Sequence, residues 1–241
     1  MDSPTQRFPP QAGLPSLTGI DQSVRVASFL TAVYGWMCVG LLVTAATAWY
    51  VASSPAILRV IVENRAILLG LMIAQLGLVF VLSARVQTMP PATATLLFVS
   101  YAALTGVTLS FILLSYTGES ISSTFVITSG AFGGMALYGT VTRRSLEGFG
   151  QFLFMGLIGV LLASIVGMFW HSDGLQFIVS VIGVIVFAGL AAYDAQRLKT
   201  MALSAPEGPV STYAVVGALK LYLDFINLFL FILRFTGNRR R

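Results

Sequence analysis

Seven long apolar runs succeed one another along the chain, interrupted by short polar stretches: about Ser28 to Val51, Ala66 to Leu82, Thr93 to Tyr116, Ile121 to Val141, Phe149 to Trp170, Leu175 to Asp194 and Tyr213 to Arg234. At about 1.5 Å of rise per residue, a helical run of roughly 17 to 25 residues crosses a hydrocarbon layer of about 30 Å. Inside lipid, a backbone satisfies its polar groups only in helices or in a closed barrel. The short alternating segments of a membrane barrel are missing from the sequence. The pattern therefore predicts an all-α membrane protein with seven transmembrane helices over residues 28–235. Residues 1–27 read as a mobile cytoplasmic tail ending in a short amphipathic approach, and residues 236–241 as a basic tail.

Composition sharpens this reading. Of 241 residues, 56% are hydrophobic and 10% charged, with a mean hydropathy of +0.87. A water-soluble domain carries about 25% charged residues, so this chain lacks the polar surface to cover itself in water. Too little lies outside the runs to form an aqueous enzyme with an appended anchor. The net charge of +5 would suggest a nucleic-acid partner in a soluble protein. Here Lys and Arg collect at run ends, which marks membrane orientation, and the partner expected is the lipid bilayer, with no nucleic acid. Cys38 is the single cysteine, so no intrachain disulfide forms, and it reads as a small packing residue. The lack of glycosylation sequons and of a signal-peptide pattern agrees with a multi-pass protein of a bacterial inner membrane.

Small residues within the runs predict close helix contacts, Gly130 and Gly134 being the clearest pair. Trp49, Tyr50, Tyr116 and Trp170 stand at run ends, where an aromatic belt belongs. With seven spans, one face carries Arg7, Arg25, Arg85, Arg143, Arg144, Arg197 and Lys199, and the other Arg59, Arg65, Arg234, Arg239, Arg240 and Arg241. If the last run dips in and returns, its four arginines join the first face. The positive-inside rule thus favours a re-entrant last segment, and in either case a cytoplasmic N-terminus.

Ionisable groups inside hydrocarbon are costly unless paired or wetted, so they are the first place to look for function. Glu63, Glu119, Glu147, Asp173 and Glu207 fall in loops or at run ends. Two acids remain, Asp194 at the end of the sixth run and Asp224 inside the seventh. Lys220, Asp224, Asn227 and Arg234 share one face of the seventh run at spacings of four, three and seven, a polar stripe on an otherwise apolar helix. Such a helix belongs in the middle of a bundle, its stripe lining a cavity or meeting polar neighbours. A plainer alternative is that Lys220 and Asp224 form an i,i+4 ion pair that only neutralises both.

Enzyme chemistry finds little footing. His171, the single histidine, reads as a solvated loop residue, no Ser-His-acid set can be assembled around it, and neither a phosphate loop nor zinc-ligand spacing occurs. An intramembrane aspartyl protease is the sharpest enzyme alternative, but the Gly-x-Gly-Asp context expected of its second aspartate is missing at Asp224.

Tyr193-Asp194-Ala195-Gln196 with its following basic residues, Leu221-Tyr222-Leu223-Asp224-Phe225-Ile226-Asn227-Leu228-Phe229 with Leu233-Arg234, and Gly106-Val107-Thr108-Leu109-Ser110 resemble the Bax inhibitor family, the transmembrane Bax inhibitor motif proteins. The resemblance runs from about residue 25 to the end. It implies six helices around a central seventh and a pH-sensitive calcium leak, without a resident cofactor, in which two aspartates share a proton and close the path. By motif these are Asp194 and Asp224, which would serve as pH sensor, ion pathway and Ca²⁺ ligands. Arg85 is the nearest match to a basic residue implicated in gating, with Lys220 and Asn227 as further partners of the path. Lys220 stands where a small neutral residue is expected, and a cation there competes with Ca²⁺ for the carboxylate. A different class of function stays open: a regulatory protein that binds another membrane protein, such as a membrane-bound protease or a cell-death factor.

The gating chemistry stands on physical grounds as well. Two carboxylates within hydrogen-bonding distance in a low-dielectric site cannot both ionise cheaply, so the pair holds one shared proton. Losing it leaves two like charges that repel each other and attract a hard cation, whose preferred ligands are carboxylate oxygens. The geometry makes one demand. Asp224 lies about 16 Å into a helix that starts at Tyr213, whereas Asp194 is at a run end, so the sixth helix must continue past Asp194 or the seventh must begin later.

Overall fold

A computed structural model describes residues 17–85, 89–170, 172–204 and 210–240. Among these, eight helices follow in order: α1 Leu17–Ala52, α2 Pro55–Glu63, α3 Arg65–Arg85, α4 Pro91–Ser115, α5 Gly118–Val141, α6 Glu147–Phe169, α7 Asp173–Ser204 and α8 Val210–Thr236. All but α2 are long and apolar enough to cross a membrane. The chain is therefore an all-α, multi-pass membrane protein.

Three boundaries differ from those the runs suggest. Helix α1 begins at Leu17, so the boundary drawn at residue 27 falls inside a continuous helix, and the rest of the expected tail lies outside the described residues. Helix α7 continues to Ser204, ten residues beyond Asp194, which meets the demand made by Asp224. Helix α2 is the element the runs do not show. Pro55 opens it with a φ already suited to a first turn, and an Arg59–Glu63 ion pair of 2.7 Å spans its last turn. Asn64 then breaks the helix in an extended conformation, and its Oδ1 accepts the Ala66 N–H at 3.0 Å, capping α3.

The last run spans; it does not re-enter. Helix α8 is an unbroken 27 residues, about 40 Å long. Beyond it, residues 238–240 lie along the α4–α5 turn, at the end of the bundle opposite to the α7–α8 connection. The Thr117 N–H donates to the Asn238 carbonyl at 3.1 Å, the Arg240 N–H to the Ser115 carbonyl at 3.0 Å, and the Asn238 N–H to Ser120 Oγ at 2.9 Å. The Arg239 guanidinium sits over the Tyr116 ring at 6.0 Å, which buries a tyrosine expected in the aromatic belt; Trp49, Tyr50 and Trp170 are exposed at helix ends, as that belt requires. The basic tail is thus docked over residues 237–240.

Helix α8 is the most buried of the spans and packs on α1, α4, α5 and α7, while α3 makes its main contacts with α4 and α6 with α7. The core gathers along α8, through Ala214, Ala218, Leu221, Tyr222, Phe225, Leu228 and Leu233. Two glycines permit the closest crossings. A Cβ on Gly106 of α4 would stand 2.5 Å from the Thr44 carbonyl of α1, and one on Gly139 of α5 would overlap the Ala192 backbone of α7. Gly130 and Gly134 do not do what their spacing suggests: both are exposed, with nothing near a Cβ. The buried face of α5 is instead Thr124, Thr128, Phe132, Ala136 and Gly139, three to four residues apart, which turns the Gly130 side toward lipid. Cys38 is likewise exposed rather than packed.

Candidate functional site

Asp224 stands near the middle of α8, about 21 Å along the helix from Val210. It is 6% exposed, and its Oδ2 is buried without a hydrogen-bond partner. A buried carboxyl oxygen left unmatched is rare, because each such group forfeits its hydration. The groups that act on it electrostatically are Asp194 and Lys220. Asp194 is half-buried on α7, where the buried Ala191, Ala192 and Ala195 keep the helix surface low enough for close approach, and it in turn senses Lys220 and Arg197. Asp224 thus senses Asp194, and one ammonium acts on both. That ammonium forms no ion pair with Asp224: among the described residues the pair within ion-pair distance is Arg59–Glu63.

The other predicted partners fall elsewhere. Asn227 turns its amide back on its own helix, Nδ2 donating to the Leu223 carbonyl at 2.8 Å. Arg85 is exposed at the end of α3, a helix that packs on α2 and α4, and is not among the groups acting on either aspartate. His171 and Glu207 lie outside the described residues. No group of three or more His, Cys, Asp or Glu side chains suited to a metal gathers among the described residues.

Below Asp224 the core is closed by Leu228, Ile232 and Leu233, all buried. On the other side, a cavity of about 770 Å³ opens beside α7 where α5 ends and α6 begins, lined by Tyr193, Gln196 and Arg197, the neighbours of Asp194, among others.

Sequence reasoning missed the contact that fixes α8. Thr44 Oγ1 of α1 donates to the Ala102 carbonyl of α4 at 2.9 Å, and Tyr222 Oη lies 2.6 Å from the same Oγ1. The threonine has spent its one proton, so the tyrosine is the donor. Phe98 and Tyr101 meet the Tyr222 ring edge-on at 5.8 and 5.9 Å. One buried hydroxyl pair therefore joins three helices two residues before Asp224. A threonine in an apolar run and a tyrosine in a polar-striped helix carry no mark of their pairing; their small polar content within hydrocarbon was the available signal.

A bundle of long apolar helices packed around α8, which carries a buried aspartate, defines a polytopic membrane protein. The family model described as Inhibitor of apoptosis-promoting Bax1 matches residues 26–241, and the chain belongs to that family, the Bax inhibitor family. It is 54% identical over 216 residues to the inner membrane protein YbhL of Escherichia coli K12, covering 88% of this chain and 92% of that one. It is 45% identical over 214 residues to an uncharacterized protein of Borreliella burgdorferi, with the same coverages of 88% and 92%. With an uncharacterized membrane protein of Streptococcus pyogenes the identity is 39% over 183 residues, 76% of this chain and 79% of the relative.

Proposed function

We propose that this protein is a cation leak channel or slow transporter of the cell inner membrane, conducting Ca²⁺ and gated by pH through the Asp194–Asp224 pair, and that it is not an enzyme. The observation that carries the reading is the buried, unmatched Oδ2 of Asp224 on the central helix, with Asp194 acting on it. A shared proton satisfies both carboxyls and holds α7 to α8. When that proton leaves, like charges push the helices apart and offer oxygen ligands to a hard cation. Lys220 tempers that repulsion and limits how tightly the ion is held. The face bearing the start of α1 is taken as cytoplasmic, since Arg25, Arg85, Arg143 and Arg144 stand on it among the first five spans, against Arg59 and Arg65 opposite.

The test is Ca²⁺ flux into proteoliposomes between about pH 5 and 8, the range over which a buried carboxyl pair titrates, with Asp194→Asn and Asp224→Asn beside wild type. Flux should rise with pH in wild type. In either variant the amide replaces the shared proton permanently, so flux should be low and insensitive to pH. No flux above empty liposomes at any pH would sink the reading. A second reading, regulation of another membrane protein by direct binding, draws on the lipid-exposed Gly130, Gly133 and Gly134, a small-residue face of the kind that membrane helices pack against. It predicts that Asp224→Asn leaves function intact.

A further inference from the structure

The turn between α5 and α6 sets Arg143 beside Arg144, and it is pinned in place. Gln196 of α7 accepts the Leu146 N–H on Oε1 at 2.8 Å and donates from Nε2 to the Arg144 carbonyl at 2.9 Å, so one side chain holds both sides of the turn. One helical turn on, Lys199 donates to the Thr140 carbonyl at 2.7 Å. These bonds use backbone groups and leave the guanidiniums available: Arg143 and Arg144 are exposed and, among the described residues, neither is ion-paired. With Arg197 and Lys199 they line the cavity of about 770 Å³, where Glu147 is the acid.

Four cations held around one bowl against a single carboxylate attract an anion that can take several donors at once. Guanidinium forks fit phosphate oxygens in this way, and the first turn of the 23-residue α6, which opens into the same bowl, adds the positive end of its dipole. The bowl lies where three spanning helices end, beside the exposed Phe149 and Phe152, at the depth of lipid headgroups.

We infer that this bowl binds a phosphate group, carried by an anionic lipid headgroup or by free phosphate. The bowl adjoins the aspartate pair, since Arg197 acts on Asp194 as well, so its test reads binding rather than flux and changes Arg143 and Arg144. Full-length protein, stripped of lipid in neutral detergent, is titrated with phosphatidylglycerol, phosphatidylcholine or inorganic phosphate. Retained lipid is scored by native mass spectrometry, and phosphate by broadening of its ³¹P resonance. Phosphatidylglycerol should be preferred over phosphatidylcholine if the source is a headgroup, whereas inorganic phosphate should bind alone if the source is soluble.

In both cases each arginine removed should weaken binding roughly fivefold, the factor for one cation near an anionic surface, so Arg143→Gln with Arg144→Gln should abolish the preference. Arg59→Gln with Arg65→Gln, on the opposite face, should not. Hydrogen exchange on the wild type guards against a variant that does not fold: the bound species should slow exchange over residues 142–151. Equal retention of both lipids with no phosphate binding, an equal loss in the opposite-face variant, or unaltered exchange over that segment would overturn the proposal.

Discussion

Tyr222 and Thr44 allow a double-mutant cycle whose outcome follows from who donates to whom. Tyr222→Phe removes one hydroxyl and strands nothing, because Thr44 still donates to the Ala102 carbonyl. Its cost should be that of one interhelical hydrogen bond, about 0.5 to 1.5 kcal/mol. Thr44→Val removes two bonds at once: the Tyr222 hydroxyl, on a side chain with no exposure, loses the Thr44 oxygen and is left with Thr105, and the Ala102 carbonyl loses its side-chain donor. Two lost bonds bring the expected cost to about 1 to 3 kcal/mol. In the double variant the Tyr222–Thr44 bond is lost only once. It should cost less than the sum of the single changes, with a coupling of about 1 kcal/mol.

Reversible unfolding in mixed detergent micelles, followed by tryptophan fluorescence, measures all three differences. Trp36 and Trp49 on α1 report on the helix that Thr44 shares. Equal costs for the two single variants, or strict additivity in the double, would refute the assigned donor order and the role of this pair as the tie between α8, α1 and α4.

Gly106→Ala should destabilise by about 1 to 3 kcal/mol in the same unfolding assay, since its Cβ meets the Thr44 carbonyl and the helix backbones must separate. Gly130→Ala, facing open space on α5, should instead be neutral or gain up to about 1 kcal/mol in helix propensity. Gln196→Ala removes both bonds to the α5–α6 turn and should speed amide exchange at Leu146 while leaving the core amides of α8 unchanged. Deleting residues 237–241 should release the Thr117 amide to fast exchange, since its acceptor is the Asn238 carbonyl; an unaltered rate would mean the tail does not dock.

Much of the architecture was legible because hydrocarbon imposes one period and one length on a helix. Each of the seven runs became a helix, with ends displaced by as much as eleven residues at Leu17 and ten at Ser204. Those displacements occur where a helix leaves lipid and continues through polar residues, Thr18 to Arg25 and Gln196 to Thr200, which hydropathy cannot separate from loop. Helix α2 escaped notice because nine residues cannot span and its signal is a proline start rather than a long apolar run. Positive charge misled at the C-terminus: α8 runs unbroken across, and its end is held at the α4–α5 turn by backbone bonds, with the Arg239 guanidinium over the Tyr116 ring.

Asp194 and Asp224 are legible because a charge inside hydrocarbon stands out in any sequence. Where the Asn227 amide points is not legible, because sharing a helix face does not fix the direction of a rotatable side chain. The Gly130–Gly134 spacing suggested a helix contact that the fold does not make, because the phase of α5, set by Thr124, Thr128 and Phe132, turns that side outward.

The docked tail limits how the central helix can travel. Its last residues are bonded to the α4–α5 turn, so a motion that keeps those bonds cannot slide α8 along its axis; it must swing about its C-terminal end. Asp224 lies twelve residues from Thr236, a lever arm of about 18 Å, so a swing of about 10° carries its carboxyl sideways by roughly 3 Å. That is about the length of a hydrogen bond, reached without breaking any of the bonds that fasten the tail.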